Sequence, residues 1–60
     1  MGWRTYRGMS VAYNVLRGQL AVRYDGGVAK MPITKDMAMC VALGDMVLLD
    51  KLLDVLLGGI

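Results

Sequence analysis

The sequence predicts an α+β fold, with a small antiparallel β-meander over residues 9–33 packed on an apolar C-terminal helix over residues 34–60. Three observations predict it. Apolar side chains alternate with small or polar ones through Met9–Val15 and again through Leu20–Tyr24, the period of a half-buried strand. Asp25-Gly26-Gly27 then stands where two such runs must reverse direction. Beyond Thr34 the alternation stops, and between Met37 and Leu57 the only charged residues are Asp45, Asp50, Lys51 and Asp54.

Residues 1–8, with Trp3, Arg4, Tyr6 and Arg7, read as an N-terminal arm outside the meander. In the first strand the odd positions Met9, Val11, Tyr13 and Val15 are apolar, while Ser10, Ala12 and Asn14 are small or polar. A short helix from Ser10 to Arg17, closed by Gly18, also fits Val11, Ala12, Val15 and Leu16, but the valines and tyrosine favour the strand. Arg17-Gly18 supplies a turn, and Leu20, Val22 and Tyr24 resume the alternation. The returning strand, Val28 to Ile33, sets Ala29, Met31 and Ile33 on one face and Val28 and Lys30 on the other. Pro32 has no amide hydrogen to donate and marks the strand's end or an edge.

Thr34 is a good helix N-cap, and Asp36 suits the positive end of the helix dipole. Gly58-Gly59 is the matching stop. Projected at about 100° per residue, Asp36, Cys40, Gly44, Val47, Asp50, Lys51, Asp54 and Gly58 gather on one strip of the helix. The remaining arc is apolar, and it is wider than the roughly 100° stripe by which a surface helix meets its core. One side therefore packs on the sheet and the other needs a cover. Asp45 falls in the centre of that apolar arc, where an unpaired carboxylate is costly to bury. Three arrangements resolve the conflict. The chain breaks at Gly44 and Asp45 caps a second helix, Met46 to Leu57; or one helix runs through and Asp45 pairs with an arginine of the front half or of a neighbouring subunit; or Asp45 reaches water at the edge of an interface.

A 60-residue chain buries only about 60% of the surface its unfolded form exposes, so it normally needs disulfides, a metal or association. Cys40 is the single cysteine and there is no histidine, which leaves association as the staple. Intrinsic disorder is excluded by a hydrophobic fraction of 57% with 20% charged residues. The charge is segregated. Residues 1–33 carry five basic groups against Asp25, and residues 34–60 carry two against four aspartates. No internal repeat, low-complexity linker or secretory signal is expected. The longest uncharged stretch near the helix, Met37–Gly44, is far short of the 18–20 or so residues a membrane span requires.

No enzyme is expected. Histidine and glutamate are absent, and Ser10 has no base near it in sequence. Cys40 lacks an electropositive setting and reads as a small packed residue; a single free thiol fits a reducing compartment, either the cytoplasm or the interior of an assembled particle. Gly26-Gly27 lacks the spacing of a phosphate-binding loop. No cofactor and no metal are expected.

The leading functional expectation is a non-enzymatic interaction or assembly protein, a homo-oligomer or a small subunit of a larger complex. Small, histidine-free, partner-dependent chains of this kind are common among phage and mobile-element products. Its interface is expected at Met39, Met46, Leu49, Leu53 and Leu56, with Asp45 setting specificity; the methionines suit a surface that must adapt to a partner. One alternative is a small dimeric nucleic-acid-binding protein whose basic hairpin uses Arg4, Arg7, Arg17, Arg23 and Lys30, interleaved with aromatic residues. Another is a peptide on a membrane surface. Such helices usually carry Lys and Arg on the polar face, and Asp50 and Asp54 argue against it.

Overall fold

The computed structural model describes residues 2–58. Four strands, β1 (Arg4–Tyr6), β2 (Met9–Asn14), β3 (Gln19–Tyr24) and β4 (Gly27–Pro32), form one antiparallel sheet in the order β1-β2-β3-β4. Two helices follow, α1 (Lys35–Ala42) and α2 (Met46–Gly58). The α+β meander expected from the sequence is the observed architecture.

It has one strand more than expected. Part of the segment read as an arm is β1, paired with β2 through Arg4↔Val11, Thr5↔Ser10 and Tyr6↔Met9. The two-residue turn between them is Arg7-Gly8, with φ of 54° and 74°. Positive φ at both turn positions matches the right-handed twist of a hairpin, but such turns are normally marked by Asn, Asp or Gly at the first of them. Arginine carries no such mark, so the hairpin is hidden in the sequence. The next two turns fall where expected. In the first, the Arg17 amide donates to Asn14 Oδ1 at 3.0 Å and Gly18 takes φ 62°. In the second, Tyr24 pairs with Gly27, and the positive φ, 132°, falls on Gly27.

Cross-strand register decides which face each residue occupies. Val11 lies opposite Val22, Tyr13 opposite Leu20, Val22 opposite Ala29 and Leu20 opposite Met31. These side chains share the face that meets the helices, where Val11, Leu20 and Val22 pack with Val41, Leu49, Leu52 and Leu53. Tyr6, Met9, Met31 and Ile33 extend that core at its rim. The opposite face carries the row Ala12, Ala21, Lys30 and, beside it, Ser10, Arg23, Val28. No element of the described chain covers it.

Thr34 caps α1 as expected, its Oγ1 accepting from the Met37 amide at 3.0 Å. The helix then stops at Gly44, which adopts φ 105°. Asp45 starts α2, its Oδ1 accepting from the Leu48 amide at 3.0 Å. The break is thus the arrangement adopted, and the carboxylate sits exposed at a helix N-terminus, where the helix dipole favours it. Replacing Asp45 with Ala is expected to lower stability by about 1 kcal/mol, the usual value of such a cap. A urea denaturation midpoint equal to that of the unaltered protein would show that the cap contributes nothing. Gly58 is the last described residue of α2; Gly59 lies outside the described residues. Among the described residues no helix is long and apolar enough to cross a membrane.

Candidate association surface

The break at Gly44 resets the helical phase and redistributes the apolar residues. In α1 only Ala38 and Val41 are buried. In α2 the buried set is Leu49, Leu52 and Leu53, spaced i, i+3, i+4, with Leu48, Leu56 and Leu57 packed partly against the core. What remains outside is substantial. Leu43 is 82% exposed, Val47 and Val55 67%, Met39 48% and Met46 41%. Helical geometry puts Met39, Cys40 and Leu43 opposite Ala38 and Val41, and puts Val47 and Val55 away from Leu49 and Leu53. The outer side of the helical layer is therefore apolar from Met39 to Leu43 and again at Val47, with exposed Asp36 in the first turn of α1 and Asp45 at the joint as its charges before Lys51 and Asp54.

This arrangement redraws the expected interface. Met39 and Met46 are on the surface. Leu49 at 3% exposure and Leu53 at 0% belong to the chain's own core, and Leu56 is partly buried against it. A Leu53→Asp substitution would thus remove the fold, and its loss of assembly would say nothing about a surface. Asp45 serves as a cap and makes no ion pair among the described residues. Leu43 and Val47, absent from the expected set, are the most exposed large apolar residues around the joint. Cys40, expected to be packed, is an exposed free thiol on the same outer side.

A polar latch ties the β1–β2 hairpin to α2. The Tyr6 hydroxyl donates to Asp50 Oδ1 at 2.9 Å, and Arg7 lies 3.2 Å from Asp54 Oδ1 and 3.7 Å from Asp50 Oδ1. Its hydrogen bond to the Asp50 carboxylate, with a smaller contribution from burial, raises the Tyr6 phenol above its ordinary value. The Arg7 pairs are exposed and worth little individually. Between β1 and the helix joint lies a cleft of about 230 Å³, lined chiefly by Tyr6, Val11, Tyr13, Val41, Met46 and Leu49, with Arg4 at its rim.

The five basic residues expected to act together are divided by the fold. Arg4 pairs with Val11 and so belongs to the helix-facing side of the sheet, and Arg7 is held by α2. Arg23 and Lys30 are on the open face, and Arg17 borders it through a concavity shared with Gln19 and Lys30. Among the described residues no group of three or more His, Cys, Asp or Glu side chains is placed to hold a metal ion. No family model, no curated protein and no solved structure matches this chain.

Proposed function

We propose that this protein is a non-enzymatic association module that pairs with a second copy of itself through the outer side of its helical layer, centred on Met39, Leu43 and Val47. The observation that carries the reading is Leu43, an aliphatic side chain 82% exposed and flanked by further exposed apolar residues. Scattered exposed leucines are ordinary, but a contiguous apolar patch on a small domain marks a surface that works by being covered. Both helices already supply a buried face to the sheet, so this second apolar face contributes nothing to the fold. Its run Met37–Gly44 is uncharged, so like charges meet an identical surface only at its two ends, Asp36 and Asp45.

Cys40 reports on that covering. It is the only cysteine, exposed, and on the same side of α1 as Met39 and Leu43. Its reaction with a thiol reagent is expected to slow as protein concentration rises, and to become fast and concentration-independent in Leu43→Lys. Rapid labelling of the unaltered protein at every concentration, indistinguishable from that of Leu43→Lys, would count against the proposal.

A further inference from the structure

The open face of the sheet has the opposite chemistry to the helical layer. β1 to β4 contain no acidic residue, and Asp25, in the β3–β4 turn, is the nearest carboxylate in sequence to the cations of this face. Arg23 and Lys30 project from the face, and Arg17 stands at its border; none of the three makes an ion pair among the described residues. Lys30 lies opposite Ala21, so Arg23 is its diagonal neighbour, about 7–8 Å away across adjacent strands. The centre of the face is low. Ala12 and Ala21, opposite one another and 0% and 2% exposed, are its small side chains. On one side of this floor stands Trp3, 38% exposed, with the Arg23 guanidinium carbon 4.6 Å from its ring centroid.

We infer that this open face binds single-stranded nucleic acid, with Arg17, Arg23 and Lys30 contacting phosphates and the Trp3–Arg23 pair serving as a stacking platform for a base. Cations tracking a backbone beside an aromatic–arginine pair are the means by which sequence-tolerant single-strand binders work. The shape selects a single strand over a duplex. The face of a four-stranded sheet presents no helix or two-stranded ribbon to enter a major groove, and paired bases have no free face to offer Trp3. The distribution of apolar residues selects it over an anionic membrane. A helix that lies on a membrane carries its cations beside the apolar residues that enter the lipid, whereas Arg23 and Lys30 stand on strands. The exposed large apolar side chains near the three cations are Trp3, Val28 and the turn residue Leu16, with Leu43 and Val47 on the helices across the sheet. Both surfaces are therefore free to be occupied together, and the inference does not depend on self-association.

Trp3 is the only tryptophan, so its fluorescence reports the platform directly. The full chain is titrated at low salt with a thymidine oligonucleotide of about twelve nucleotides, within the range of single-strand site sizes. Trp3 emission is expected to be quenched on binding. With three phosphate contacts the logarithm of affinity falls with that of salt at a slope of about −2, so affinity drops about twentyfold between roughly 50 and 200 mM salt. Lys30→Glu, at an exposed position, is expected to reduce the slope to about −1.4 and leave the circular dichroism spectrum unchanged. Absence of binding at low salt would overturn the inference. So would binding without quenching, equal affinity for a duplex of the same length, or flotation with anionic vesicles in place of oligonucleotide binding. All four of these outcomes are read on the unaltered protein, so the test stands whether or not Lys30→Glu folds.

Discussion

Leu53→Ala is expected to leave much of the protein unfolded at room temperature. Leu53 is fully buried and packs in the cluster formed by Val11, Leu20 and Val22 of the sheet and Val41, Leu49 and Leu52 of the helices. Truncating a leucine in such a place costs about 2–5 kcal/mol, as lost transfer energy plus the cavity left behind. A domain of this length has a total stability of roughly 3–9 kcal/mol. Below about 70–80 residues a single core rarely supplies more than about 3–5 kcal/mol, the low end of that range, and against it the loss consumes most or all of the margin. Leu43→Ala removes the same atoms from a residue 82% exposed and is expected to change folding stability by less than about 0.5 kcal/mol at low protein concentration. Urea denaturation followed by circular dichroism separates the two. Equal midpoints for the two variants would mean that the helices do not pack on the sheet as described.

Gly18→Ala is expected to be the most damaging of the glycine substitutions. Gly18 sits at φ 62°, and a methyl group there would stand 2.6 Å from the carbonyl oxygen of Ile33. The Gly18 carbonyl meanwhile accepts the Ile33 amide at 2.8 Å, fixing the point where the chain leaves the sheet for α1. The obstacle is backbone, which cannot swing aside. The left-handed conformation costs about 1–2 kcal/mol for a residue with a Cβ, and displacing a packed neighbour adds about 1–3 kcal/mol. Gly8→Ala provides the control. Its φ is also positive, at 74°, but a methyl group would meet nothing within 4 Å, so only the conformational cost applies. A Gly18→Ala denaturation midpoint equal to that of Gly8→Ala would show that the Gly18–Ile33 contact is not made.

The same physics explains how much of the molecule is legible in its sequence. Three strands are readable because one face of each has to be apolar, and the turn residues Gly18 and Gly27 stand where the chain needs positive φ. β1 is not readable, since its turn uses Arg7 at φ 54° in place of a marking Asn, Asp or Gly, and the partners of Tyr6 and Arg7, Asp50 and Asp54, lie more than forty residues away. The helix break is legible as a conflict. Asp45 cannot lie in an apolar arc, and Gly44 beside it offers the way out.

The candidate site is legible only in part for the same reason. A helical projection carried from Asp36 to Leu57 assumes an unbroken helix, and once Gly44 interrupts it the phases of α1 and α2 are unrelated. That assumption places Leu49 and Leu53 on the surface and leaves out Leu43, which ends α1. The width of the apolar arc nevertheless points to something real. One sheet does not cover both helices, and Met39, Leu43 and Val47 are what it leaves bare. For the basic residues, composition shows the excess of positive charge in the front half; the pairing of strands is needed to set Arg23 and Lys30 on the open face and to turn Arg4 away from it.

The proposal that matters most is that a second copy covers the outer side of the helical layer in the working protein. Light scattering coupled to gel filtration measures it most directly, as the mass of the purified protein over a range of concentrations beside that of Leu43→Lys. The expected mass is at least twice the 6.5 kDa of the chain, reduced to the single-chain value in Leu43→Lys while the circular dichroism spectrum is preserved. A single-chain mass for the unaltered protein at every concentration would contradict it, as would an oligomer that Leu43→Lys leaves intact.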